Sequence, residues 1–162
     1  MVQRWSAQRA EGKIAIDLEK TMKRTKLILL CLLPLSAVAE DGRVLVELPP
    51  MMREHMLHNM RDHLETLRSI VTRLGQADYE GAAELAEGGL GMSAMQMHGA
   101  AHMAPFMPEG MRQAGIAMHR AASRFAQAAR DAEVRGDPAT ALRALADVMA
   151  QCTACHAGYR LQ

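Results

Sequence analysis

The sequence predicts an all-α protein, an antiparallel four-helix bundle, and three observations carry that prediction. Aromatic residues make up 3% of the 162, while alanine, leucine and methionine are abundant and β-branched residues few, which favours helix over sheet. From Pro50 onward, apolar residues recur at three- and four-residue spacing in four separate runs. Short segments rich in Gly, Pro and Asp divide those runs, supplying helix stop and start signals.

Residues 1–39 stand apart. Met22-Lys23-Arg24-Thr25-Lys26 is basic, Leu27 to Leu35 is a short apolar run, and Ala37-Val38-Ala39 offers the small residues of a cleavage site. The run is too short to span a bilayer. The expectation is a signal peptide over 22–39, cleaved after Ala39, with residues 1–21 a misassigned start or upstream extension. Cys31 lies inside the apolar run without small residues before it, which argues against a lipoprotein anchor. The remainder, residues 40–162, forms one domain with 12 Arg, no Lys and 15 acidic residues, a net charge of −3. No basic patch remains for nucleic acid, and no membrane span is expected after cleavage.

Glu40 to Leu48 reads as a short extended leader, and Pro49-Pro50 opens the first helix, proline being tolerated in a first turn. On a helical wheel with Met60 at zero, Met56, Leu57, Leu64, Leu67, Val71 and Leu74 lie within about 60°. Asn59 falls about 100° from that centre, and His55, His58 and Met51 point to the opposite face. Gly75 is expected to end the helix in the left-handed conformation. Asp78 caps a second helix containing Ala82, Ala83, Leu85, Ala86 and Leu90, which Gly88-Gly89 and Gly91 weaken. Gly99, Pro105 and Pro108 place a loop over 99–108. A third helix runs from Pro108 or Glu109 to about Val134, with Met111, Ala114, Met118, Ala121, Ala122, Phe125 and Ala129 on one face, and Gly136 closes it. Asp137-Pro138 starts the fourth, as an N-cap followed by proline at N1. That helix sets Leu142, Leu145, Val148, Met149, Cys152, Cys155, His156 and Tyr159 on one broad face.

Cys152-Thr153-Ala154-Cys155-His156 reads C-x-x-C-H, the pattern that attaches a c-type haem. On a helix the two cysteines and the histidine fall within an arc of about 100°, so two thioether anchors and an iron ligand face one flat cofactor. A zinc site would need two further ligands at matching spacing, and residues 40–162 hold no other cysteine. A thioredoxin-like dithiol would need a βαβ context. The expected cofactor is one covalent haem c, attached to the C-terminal helix through Cys152 and Cys155, with His156 as proximal ligand.

The run CTACHAGYR, with Tyr159 and Arg160 after the motif, resembles the C-terminal helix of the cytochrome c-prime family. Gly136-Asp137-Pro138 before that helix fits too, as does Gly75-Gln76-Ala77-Asp78-Tyr79 between the first two. The resemblance in architecture spans residues 50–162, strongest in the last helix and weakest in the second. It implies that the first helix presents one residue to the distal side of the iron. An apolar residue there leaves a five-coordinate, gas-binding haem, whereas methionine closes the site and suits electron transfer. Counting back from the Gly75–Tyr79 turn gives Asn59 or Met60, and the wheel selects Met60, with Met56 as second choice. The resemblance also implies a possible homodimer through the first two helices.

Residues 40–162 hold seven histidines and twelve methionines. His55 and His58 are expected in solvent, and His63 on the edge of the stripe. Met95, His98 and His102 would share a helical face if that segment were helical, a soft donor set suited to copper(I). Arg53, Arg120 and Arg124 are candidates to pair with haem propionates. No nucleophile–base constellation is visible, so no enzyme is expected. The leading function is a periplasmic electron carrier ligated by His156 and Met60, with redox partners unidentified. A gas-binding haem protein is the alternative, and a copper-binding periplasmic protein the third.

Overall fold

The computed structural model describes residues 40–162; the expected signal peptide, its cleavage after Ala39 and the segment before it lie outside the described residues. These residues are mostly helical. Strand β1 (Val44–Val46) leads into α1 (Pro50–Gly75) and α2 (Tyr79–Gly89). An irregular stretch follows, with 3-10 turns at Met92–Met95 and Ala104–Phe106 around the short α3 (Ala100–Met103). Then come α4 (Glu109–Arg135), α5 (Pro138–Gly158) and β2 (Tyr159–Leu161). None of these helices is long and apolar enough to cross a membrane.

The expected start signals operate. Asp78 accepts from the Gly81 amide at 2.9 Å. Asp137 accepts from the Ala139 amide at 3.1 Å, ahead of Pro138. The end of α1 differs from expectation. Gly75 is its last helical residue, and the left-handed position falls on Ala77, at φ 59°. Asp78 N–H bonds back to Arg73 O at 2.9 Å and Ala77 N–H to Leu74 O at 3.0 Å, the paired bonds of a Schellman turn. The left-handed position therefore comes two residues after the glycine, because Gly75 keeps helical geometry and the turn closes over Gln76 and Ala77. At the end of α4, Gly136 does hold this position, at φ 66°.

Alanine builds the main core. Ala82, Ala83 and Ala86 of α2 meet Ala121, Ala122, Ala126 and Ala129 of α4 around Ile70, Leu90, Phe125, Leu145 and Val148. Small side chains let helix backbones approach closely, so a single buried Phe125 serves a core with few aromatics. The closest helix pairs are α4 with α5, α2 with α4, and α1 with α2; α1 and α5 are not closely apposed.

The α1 stripe is rotated from its expected position. Its buried residues are Met56, Asn59 and Ile70, whereas Leu64 is 69% and Val71 56% exposed. The buried face is centred about 70° from Met60. Hydropathy alone placed the expected centre; the polar Asn59 is buried because the fold supplies its hydrogen bond. On α5 the broad expected face narrows likewise. Ala141, Leu145 and Val148 are buried, while Leu142 and Met149 are more than half exposed.

The first and last elements of the described residues pair with each other. β1 and β2 run parallel, with Val44 opposite Tyr159, Leu45 opposite Arg160 and Val46 opposite Leu161. Tyr159 therefore lies in a strand and not on the last helix, and residues 40–48 are an integral element rather than a leader. Val46 and Leu48 are buried in a second cluster with Met56 and Met103, packed by Met52, Met60, Met107, Met111, Tyr159 and Leu161. Arg53 Nε donates to Gln162 O at 2.6 Å and Gln162 Nε2 to Leu48 O at 3.2 Å, fastening this closure.

Candidate functional site

Cys152 and Cys155 are unbridged and half-buried on the penultimate turns of α5. Cys152 packs against the alanine core. Burial raises both thiol pKa values, and the neighbouring Cys152 adds to the rise at Cys155. Both thiols are protonated at neutral pH, so neither is a ready thiolate for redox exchange. His156 is exposed, and its carbonyl accepts from Arg43 Nη1 at 3.5 Å. Leu142, Met149 and His156 recur every seventh residue and share an edge of α5 about 40° wide. That edge, uncovered and apolar, leads up to the motif.

Methionines form a cluster of their own. Six of them, Met52, Met56, Met60, Met103, Met107 and Met111, occupy one cluster with Tyr159, which follows the motif by three residues. Met56 is buried and Met60 partly so. A covalent haem fits this residue set. It asks for two unpaired thiols one helical turn apart and an adjoining imidazole, and both are present, with thioether side chains gathered around Tyr159 just after the motif.

Histidines form a second constellation, which the sequence reading divided wrongly. His55, expected in solvent, is half-buried, and its Nε2 donates to His98 O at 3.0 Å. Asn59 Nδ2 donates to the same carbonyl at 2.9 Å. These two α1 side chains hold the loop residue His98 inward, where it is 8% exposed. Its ring meets His63 of α1, with His63 Nε2 3.2 Å from His98 Nδ1. His119 of α4, 7% exposed, completes the group, and its Nδ1 donates to Leu90 O at 2.7 Å. Burial, with His98 and His119 alongside, pushes the His63 pKa down to about 4. Burial first, then His119, lowers that of His98. Burial thus favours the neutral form of the His63 and His98 rings, which lie side by side.

Other expected residues separate. Gly99, left-handed at φ 65°, breaks the helical path between His98 and His102, and His102 is exposed. The Met95–His98–His102 face therefore does not form. His58 is exposed as expected, 3.2 Å from Asp62. Arg53 is engaged with Gln162 O, while Arg120 and Arg124 are exposed on α4. An open groove between α1 and α2, lined by Thr66, Arg73, Asp78 and Glu84, contains no residue of either constellation. His119 escaped notice in the sequence although a signal existed: it is a polar residue beside Met118 on an otherwise alanine-lined helix face.

No protein family, curated protein or solved structure matches the chain significantly.

Proposed function

We propose that this chain is a periplasmic monohaem c-type cytochrome of the c-prime type, an antiparallel four-helix bundle of α1, α2, α4 and α5 that carries single electrons by outer-sphere transfer. One observation carries the reading: the unbridged Cys152 and Cys155 on one arc of α5, with His156 next in chain. When bound, haem c supplies a one-electron iron couple, and no acid–base machinery is required of the protein. Cys152 and Cys155 would hold the macrocycle covalently, and His156 would be the proximal iron ligand. Met60 is the proposed distal ligand and Met56 the second choice.

The surrounding chain has definable tasks. The methionine cluster gives an apolar, polarizable surface that keeps water from the site and supplies soft donors. The β1–β2 pairing and the Arg43 bond to His156 O fix the backbone on which the proximal imidazole stands. The uncovered Leu142–Met149 edge of α5 offers apolar surface to a flat macrocycle. The N-terminal signal pattern supports export, which c-type haem attachment accompanies. Leu64 and Val71, exposed on α1, supply apolar surface for the proposed homodimer.

A second reading, a haem protein that binds small gases, gains from the rotation of α1, which puts Met60 at the edge of the buried face. Absorption spectra of the reduced protein with and without carbon monoxide separate the two. The electron carrier gives a low-spin spectrum that carbon monoxide leaves unchanged, and Met60→Ala opens it to the gas. A high-spin ferrous spectrum that shifts at once with carbon monoxide rejects methionine ligation.

A further inference from the structure

We propose that His63, His98 and His119 form a binding site for a divalent first-row transition ion, separate from the haem motif. Three elements distant in sequence converge here: α1, the loop after α2, and α4. Their ring centroids lie 4.6 Å (His63–His98), 5.5 Å (His98–His119) and 6.0 Å (His63–His119) apart. Three imidazoles bonded to one tetrahedral ion at roughly 2.0 Å put their centroids about 5 Å apart. The observed triangle is within about 1 Å of that arrangement on every side.

Hydrogen-bond accounting supports the same ligand. A carbonyl only accepts, so the His119 contact with Leu90 O fixes a proton on Nδ1 and makes Nε2 the nitrogen through which this ring can bind an ion. A ring N–H anchored on a backbone carbonyl is the usual outer support of a metal-bound histidine. His63 Nε2 and His98 Nδ1 share one proton across 3.2 Å. Two nitrogens on a tetrahedral ion stand about 3.3 Å apart, so once that proton shifts to an outer ring nitrogen an ion fits between the two rings with little movement of either. Among the described residues, no side-chain hydrogen bond engages His63 Nδ1, His98 Nε2 or His119 Nε2, so the first two are open to take up a relocated proton and the third to ligate.

The loop ligand is also positioned in advance. Asn59 and His55 both grip the His98 carbonyl from the rigid α1. As the side chains stand, no group of three His, Cys, Asp or Glu among the described residues is arranged to hold a metal ion; His63 and His98 are bonded to each other instead. Metal entry therefore moves the shared proton to the outer nitrogen of its own ring, His63 Nδ1 or His98 Nε2, so that two neutral imidazoles turn their lone pairs to the ion. An all-imidazole set suits zinc, copper or nickel and gives no affinity for calcium or magnesium.

Equilibrium dialysis of the purified protein against Zn2+, followed by metal analysis, tests the proposal. One Zn2+ per chain is expected, with affinity reduced at least tenfold in His63→Gln and His98→Gln and unchanged in His102→Ala. The Co2+ form of the wild type should show tetrahedral d–d bands without thiolate-to-metal charge transfer. Absence of stoichiometric Zn2+, wild-type affinity in either Gln variant, or a thiolate band tracing the metal to Cys152 and Cys155 would each overturn it. Should the Gln variants not fold, the wild-type Co2+ spectrum decides alone.

Discussion

Removing both donors on the His98 carbonyl should cost more than the sum of removing each. Asn59→Ala takes away a bond of 2.9 Å, and His55→Ala one of 3.0 Å, to the same acceptor. Either single variant leaves the carbonyl one partner, so each is expected to cost about 1–2 kcal/mol, a lost hydrogen bond plus some packing. The double variant leaves a mostly buried carbonyl with no partner among the described residues. The penalty for that stranded acceptor is about 1–3 kcal/mol and appears as coupling between the two sites. Urea denaturation of the four proteins of the cycle, in the presence of a chelator, measures it. The hydropathy wheel alone puts Asn59 about 100° from the stripe and His55 on the opposite face, where changes stay within about 0.5 kcal/mol. Near-neutral singles, or coupling below about 0.5 kcal/mol, would refute the inward placement of His98 and the supporting role of α1.

Leu48→Ala should destabilise by about 2–5 kcal/mol, as for a large-to-small change in a packed core, because Leu48 is buried beneath the β1–β2 closure. A thermal or urea transition unchanged by this variant would return residues 40–48 to the status of a leader. Stability should also fall as pH drops from about 6.5 towards 4 in chelator. The folded His63 holds its pKa at about 4 against an ordinary 6.5, so the unfolded chain binds the extra proton in that window. The stabilisation is present above the unfolded value and lost as pH falls through the folded one. Its ceiling is about 3 kcal/mol, reduced to roughly 1–2 by the partial exposure of the ring. Carboxylates such as Asp78 and Asp137, whose pKa values are lowered from 3.8, act below this window. His63→Gln should therefore flatten the slope between pH 4.5 and 6.5, in denaturant titrations at fixed pH.

The sequence by itself determined the helices and the C-x-x-C-H motif. Asp78 and Asp137-Pro138 start helices by local hydrogen bonds and a fixed φ, and C-x-x-C-H places its three groups through helical geometry within five residues. Such features depend on neighbours in the chain, so they can be read from it. Tertiary structure decided which face of α1 turns inward. The wheel weighted Leu64 and Val71 above Asn59 and His63, but burial of a polar side chain depends on a partner, here the His98 carbonyl 39 residues from Asn59. The same holds for β1 and β2, two three-residue strands too short to announce themselves, which exist only because segments 113 or more residues apart meet. His119 joins His63 and His98 for that reason as well: helix packing brings together three residues that no local pattern links. Periodicity records which residues avoid water; it does not record which polar groups find each other once water has been excluded.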